Sequence, residues 1–504
     1  MSRTKKFLYN SATTAFYQII LMFAGLITPR IMLKYYGSEI NGLVSSINQF
    51  IVYFNLVEAG LSGAAIYALY KPLAENDHKA INGVVSAAKK FYTQSGYIFL
   101  SFTVGLATIY PFYIKTSLLS KYDVCVLVLI LGVNGALEFF TLAKYRALLT
   151  ADQRTYVISL ASIIHIIINT LVIVILGTMQ VDIVILRSVA LLSIFFRSFI
   201  LMIYVHIRYK FINFKEKPNI DSMKKRWDAL YLQTLGAAQV GAPIIILTLI
   251  TNNLKLVSVY VIFNMVMSSI NGILSIFKSG LAASFGDVIA KGETKILQKA
   301  YGEFEFSFYA LISVVYITAL LTIMPFVRTY TSGVTDTQYD LPVVGFLFVL
   351  NGLLYNIKTP QGMLVIAAGL FKETRVQTTI QAGIAIVLGI ILTSFYGIYG
   401  VLIASILSNA YRVIDLLYFI PRHLTKLPVR ITAYRILSIG ISIFISWIPF
   451  HFIKFNPDTY IKWGIYALLT SVYVLIIVII QSYITDKQSM RGALNRFTKK
   501  RKAI

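Results

Sequence analysis

LVSVYVIFNMVMSSINGILSIFKSGL, residues 256–281, is an apolar run of spanning length that carries one charge, Lys278. A helix needs about 20 mostly apolar residues to cross a bilayer. Inside this run Asn264, Ser268, Asn271, Ser275 and Lys278 recur at intervals of 4, 3, 4 and 3, which puts them on one helical face. The whole chain has the same character. Of 504 residues 57% are hydrophobic and 13% are charged, and mean hydropathy is +0.73. A water-soluble surface cannot hide that much apolar side chain. A soluble enzyme, a disordered tail and a nucleic-acid module are therefore excluded, and the bilayer is the solvent to consider.

Working outward, fourteen such stretches appear: 11–33, 41–70, 91–112, 124–149, 155–176, 183–207, 229–252, 256–284, 301–327, 341–371, 376–395, 399–420, 435–453 and 462–484. An even number puts both termini on one side. Connections on that side hold 33 of the 46 Lys and Arg. The opposite ones hold seven: Lys34, Lys115, Lys121, Lys255, Arg328, Lys454 and Lys462. The positive-inside rule then predicts cytoplasmic termini in the inner membrane, and it accounts for most of the net +25 without nucleic acid. The N-terminal MSRTKKFLYNSATTAFYQ lacks a small-residue cleavage site after a short apolar core, and reads as the cytoplasmic start of a mature chain. Cys125 is the only cysteine, so no internal disulfide and no cysteine metal cluster can form.

An internal repeat organises the spans. EAGL at 58–61 matches KSGL at 278–281, an offset of 220. At that offset Asn48 falls on Ser268, Asn55 on Ser275 and Lys71 on Lys291. FFRSF around Arg197 answers AYRVID around Arg412 at offset 215. The expected fold is an all-α polytopic membrane protein of 14 transmembrane helices. Two six-helix bundles, 1–208 and 229–420, are joined by a basic cytoplasmic linker, 209–228. Two extra helices over 421–484 and a basic cytoplasmic tail, 485–504, follow. Each half has an even number of spans, so the pseudo-two-fold relating them runs along the membrane normal.

Charges inside spans are informative because each costs about 2.5–3.5 kcal/mol at mid-membrane unless a partner or wet cavity receives it. They are Arg30, Glu58, Glu138, Arg187, Arg197, Lys278, Lys358, Arg412 and Asp415, six positive against three negative. That surplus predicts an anionic cargo. Asn41, Ser45, Asn48, Asn55 and Glu58 form a second polar stripe in span two. In lipid a polar stripe lines a cavity or bonds a neighbouring helix. Two matching stripes, each ending in an opposite charge, favour a cavity, with Glu58 set against Lys278. In span ten, NIKTPQG at 356–362 places Lys358 beside Pro360 and Gly362, the pattern of a discontinuous helix at a binding site. Arg412 and Asp415, three apart, neutralise each other if they share a face. No phosphate-binding loop, GxSxG or HExxH occurs.

The segment LITPRIMLKYYGSEINGLVSSI (26–47) combines a late proline in span one with Gly37 and Gly42 around a short turn. With the acidic-x-Gly-Leu element at Glu58–Leu61 and fourteen spans in two bundles, the chain resembles the polysaccharide transporters of the multidrug/oligosaccharidyl-lipid/polysaccharide (MOP) exporter superfamily, the Wzx-type flippases. The resemblance implies a non-enzymatic flippase. It would move undecaprenyl-pyrophosphate-linked oligosaccharide units from inner to outer leaflet by alternating access, for capsule or O-antigen. Its partners would be that lipid, the membrane lipids and the polysaccharide polymerase machinery, with no nucleic acid. It needs no cofactor beyond a coupling Na+ or H+. Lys278 and Lys358 would hold the pyrophosphate, assisted by Arg30, Arg197 and Arg412. Asn48, Asn55, Asn264, Ser268, Asn271 and Ser275 would line the cavity. Glu58, Glu138 and Asp415 would act as counter-ions or coupling groups. The other readings are a lipid II-type flippase or a multidrug/cation antiporter of the same superfamily, and a membrane polysaccharide polymerase. The antiporter calls for a carboxylate-rich cavity and the polymerase for a long acidic outer loop, and neither feature is present.

Overall fold

The chain is all-α in a computed structural model that describes residues 3–58, 60–219, 226–278, 281–452, 455, 457–490 and 492. Packing divides it into two compact units, one of Met1–Val261 with Val334–Thr337 and the other of Ile262–Gly333 with Gln338–Ile504. The sequence-based halves, 1–208 and 229–420, divide the chain by repeat; the compact units divide it by packing.

The first unit contains α1 (Arg3–Phe54), α2 (Leu61–Glu75), α3 (His78–Tyr113), α4 (Lys121–Leu137), α5 (Ala143–Ala151), α6 (Thr155–Thr178), α7 (Ile183–Leu191), α8 (Ser193–Arg208) and α9 (Arg226–Thr251). α10 (Leu254–Lys278) begins in this unit and ends in the second. The second unit continues with α11 (Leu281–Ala290), α12 (Thr294–Tyr330), α13 (Pro342–Ile357), α14 (Thr359–Ala368), α15 (Arg375–Gly383), α16 (Gly389–Tyr396), α17 (Ile398–Ile420), α18 (Val429–Phe452) and α19 (Tyr460–Thr485). Twelve helices among the described residues are long and apolar enough to cross a membrane. The first, Lys5–Glu75, covers two predicted spans and breaks at Gly37, whose φ of 80° suits glycine. With that first helix counted as two, thirteen of the fourteen predicted spans have a counterpart of spanning length; in α9 the apolar stretch found among the described residues is the shorter Gln239–Thr251.

In the first unit two glycines permit what the turn after span one requires. Gly37 brings the Ser38 amide to within 2.7 Å of an Asp336 carboxylate oxygen. Gly42 lets α1 meet the start of α10 backbone to backbone: a Cβ there would lie 1.8 Å from the Leu254 carbonyl oxygen. Beside it the Asn41 amide donates to Ser258 Oγ at 2.8 Å. The described part of the basic linker, 209–219, folds back on α3. The Asn82 side chain donates to the Phe211 carbonyl and accepts from the Asn213 amide. The first turns of α1 dock on the α5–α6 connection, where Lys6 Nζ meets Asp152 at 2.9 Å. Burial pushes the Asp152 carboxyl up, but hydrogen bonds from Tyr209, Lys6 and Arg154 outweigh it and hold the group below its ordinary range.

Breaks in the two halves fall at the repeat offset. α2 begins at Leu61 and α11 at Leu281; α6 begins at Thr155 and α15 at Arg375. Span four is interrupted by a π turn at Glu138–Leu142, and span ten by the junction of α13 and α14 at Lys358. Both interruptions start 220 residues apart. In the second unit α18 and α19 pack on α12. Trp463 donates its indole N–H to the Thr322 carbonyl at 3.2 Å, and Thr329 Oγ1 donates to the Pro457 carbonyl at 2.8 Å.

Candidate functional site

The first unit joins four of its membrane charges into one chain. Glu58 lies in a 3-10 turn, Asn55–Glu58, that ends the span-two helix; Gly60 then adopts φ 81° before α2 starts. The EAGL element is therefore a helix break, which corrects the expectation of one continuous polar face from Asn41 to Glu58. The break lets the Glu58 carboxylate accept from Arg146 Nη2 at 3.1 and 3.2 Å. Arg146, on α5, also reaches Glu138 at 3.3 Å. Glu138, which opens the π turn, accepts from Arg197 of α8 at 2.9 Å. The sequence is thus Glu58–Arg146–Glu138–Arg197, two anions and two cations in alternation. π turns insert a residue and re-aim the side chains around them. Here the turn lets Glu138 serve two arginines from different helices.

The partner expected for Glu58 was Lys278. Glu58 is taken by Arg146, and the Lys278 side chain lies outside the described residues. Arg197 has Glu138, from another helix, as its partner. Sequence reading grouped Arg146 with the loop charges at the end of span four. The apolar run that continues past it to Ala151 was the signal that it belongs inside.

The second unit holds a different arrangement. Lys358 caps α13, and its Nζ donates to Asn409 Oδ1 at 2.7 Å and sits 4.9 Å from the centre of the Tyr355 ring. Asn409 in turn donates to Asn351 Oδ1 at 2.8 Å. Among the described residues Lys358 has no carboxylate within ion-pair reach. Arg412 adds a second positive charge to its surroundings, but Asp415 holds that guanidinium at 2.5 Å, as the three-residue spacing suggested. The helix junction at Lys358 is tight, not unwound. Tyr309 donates to the Ile357 carbonyl at 2.9 Å, and Gly362 N–H donates to the Lys358 carbonyl at 2.9 Å, so backbone groups near Pro360 are satisfied again.

The polar stripes divide between the two readings open to them. Asn271 is a packing residue: its Oδ1 accepts from Asn356 at 2.8 Å and from Tyr316 at 3.4 Å. Asn264 is half-buried. Asn48, Asn55, Ser268 and Ser275 are exposed, although Ser275 also donates back to the Gly272 carbonyl. Exposed amides on spanning helices are stable only where water reaches them. Arg30 follows Pro29 within α1 and is half-buried.

A further ionic cluster escaped the sequence reading. Glu305 of α12, 1% exposed, meets Arg435 of α18 at 2.8 Å, and Arg435 also meets Asp486 at 2.9 Å. Tyr301, Gln361 and Thr432 donate to the same Glu305 carboxylate. Every member has a partner, so the cluster fastens the two extra helices to α12.

No family model matches this chain, and no curated protein does. Solved structures do. The lipid II flippase MurJ, in an inward closed conformation, superposes with a TM-score of 0.69 at 14% identity, covering 94% of this chain and 99% of that one. An inward-facing multidrug resistance transporter of the MATE family, MOP superfamily, gives 0.67 at 13% identity, over 84% and 98%. A MOP-superfamily transporter from Pyrococcus furiosus, described as having a binding pocket of reverse polarity, gives 0.54 at 14% identity, over 84% and 96%. At such identities the likeness is one of fold: this chain has the MOP fold.

Proposed function

We propose that the chain is a flippase that moves undecaprenyl-pyrophosphate-linked oligosaccharide units across the membrane by alternating access, for capsule or O-antigen-type polymers. The observation that carries this reading is Lys358. It is a lysine inside a span, held by an amide and an aromatic ring and unmatched by a carboxylate among the described residues. A cation kept in that state has its charge available for an anion, and a pyrophosphate is a strong one. In the same unit the exposed Ser268 offers a group that matches a sugar hydroxyl. A fold shared with a lipid II flippase supports a lipid-linked cargo.

The carboxylates Glu58, Glu138 and Asp415 act here as counter-ions for Arg146, Arg197 and Arg412. Coupling to Na+ or H+, on this reading, works through Glu58 and Glu138, since occupying either one releases part of Arg146. A multidrug or cation antiporter, the reading a MATE fold suggests, fits less well because the membrane carboxylates are already engaged by arginines.

The test is complementation of a strain lacking its own repeat-unit flippase. The wild type should restore surface polymer and clear accumulated lipid-linked oligosaccharide. Lys358→Ala should lose about tenfold or more of that activity at equal membrane abundance, and Lys358→Arg should keep most of it. Drug efflux without polymer rescue, or full activity of Lys358→Ala, overturns the reading.

A further inference from the structure

Within the first unit, a groove of about 440 Å³ runs between the α4–α5 segment and α8, lined by Phe140, Thr141, Lys144, Phe195, Phe199 and Met202 among others. Phe195 and Phe199 are exposed on its rim. Two of its hydroxyls are already engaged: Ser198 donates to Thr141 at 2.8 Å, and Thr141 donates to the Leu137 carbonyl at 2.6 Å. Apart from Lys144 and the Tyr145 hydroxyl, the groove offers mainly hydrocarbon contact.

One end of the groove is cationic. Lys144 Nζ lies 5.0 Å from the centre of the Tyr145 ring and 5.2 Å from that of Phe214. Lys89 Nζ lies 5.9 Å from the same Phe214 ring. Two lysines thus share one aromatic ring, and neither has a carboxylate within ion-pair reach among the described residues. Lys144 is eight residues before Asp152, which Lys6 of the N-terminal turn contacts. At 1.5 Å per residue Lys144 lies roughly 12 Å along the axis from this end of the helix, and its long side chain can extend toward the headgroup layer.

We propose that this groove is a site for an anionic glycerophospholipid of the leaflet on the N-terminal side. The phosphate rests between Lys144 and Lys89, and one acyl chain lies along Phe140, Phe195, Phe199 and Met202. Basic pockets beside spanning helices suit anionic headgroups, and the exposed phenylalanines supply the apolar partner for the chain. The site is separate from Lys358 and does not depend on the cargo assigned above.

The experiment uses the full-length protein reconstituted with phosphatidylglycerol or with phosphatidylcholine, released into mild detergent, and weighed intact to count retained lipid. The wild type should retain phosphatidylglycerol in preference to phosphatidylcholine. The double variant Lys89→Gln/Lys144→Gln should lose about tenfold of that retention, and Lys144→Arg should keep it. Met202→Trp fills the groove with both lysines in place and should also release the lipid; it decides the matter if the double variant does not fold. Equal retention of both lipids by the wild type overturns the proposal. So does unchanged retention by the double variant or by Met202→Trp, or competitive displacement of phosphatidylglycerol by undecaprenyl pyrophosphate, which would make the groove a cargo site.

Discussion

Arg146 shows what a single residue contributes when it sits between two acids. It neutralises Glu58 and Glu138 together, the first from another span and the second eight residues earlier in its own. Removing one partner of a buried ion pair costs about 3–5 kcal/mol, because the other is left charged in a poor solvent. Here the groups are partly exposed, so the expected loss for Arg146→Met is lower, about 2–3 kcal/mol. It should appear as a drop in the thermal midpoint of the purified protein. Adding Glu58→Gln and Glu138→Gln to Arg146→Met should recover part of it. A triple variant no more stable than the single one would show that the charges are not coupled. Glu58, Glu138, Arg197, Arg412 and Asp415 were all legible in the sequence as charges inside spans. Their pairing was legible only for Arg412 and Asp415, which share one helix.

At the scale of elements, the breaks matter more than the helices. Gly37 breaks the chain between the first two spans, and Gly60, the π turn at Glu138–Leu142 and the Lys358 junction each interrupt a span where a charge has to be placed. Gly42 marks a tight crossing. Gly42→Ala pushes a methyl into the Leu254 carbonyl and should destabilise by about 1–3 kcal/mol, the ordinary cost of overpacking. Gly25→Ala, in the same helix with nothing within 4 Å of the new methyl, should be neutral or slightly stabilising. The comparison is made by thermal unfolding of the two variants side by side; equal losses would mean that Gly42 matters only through helix propensity. Pro360 and Gly362 announced the break in span ten. The break at Glu58 was not announced, because a 3-10 turn and a helix share most of their sequence preferences.

For the whole molecule, the Lys/Arg bias predicts where the termini lie. With Cys125→Ser as background, a cysteine placed at Lys217 should react with an impermeant thiol reagent only in inverted membranes, and one placed at Lys121 only from outside the cell; the opposite labelling would reverse the topology. The sequence alone determined the membrane solvent, the all-α multi-span architecture and the 220-residue repeat that recurs in the helix starts at 61 and 281 and at 155 and 375. These properties follow from apolar length, charge count and spacing, and none needs a contact between distant residues. Tertiary structure alone decided that Arg146 belongs with Glu58 and Glu138, that Asn271 is spent on Asn356, and that Lys358 meets amides while Arg435 meets Glu305. The reason is physical. A charge in a span is stabilised by whatever lies within a few ångströms of it, and that is set by which helix faces pack together, a matter on which the order of residues along one helix is silent.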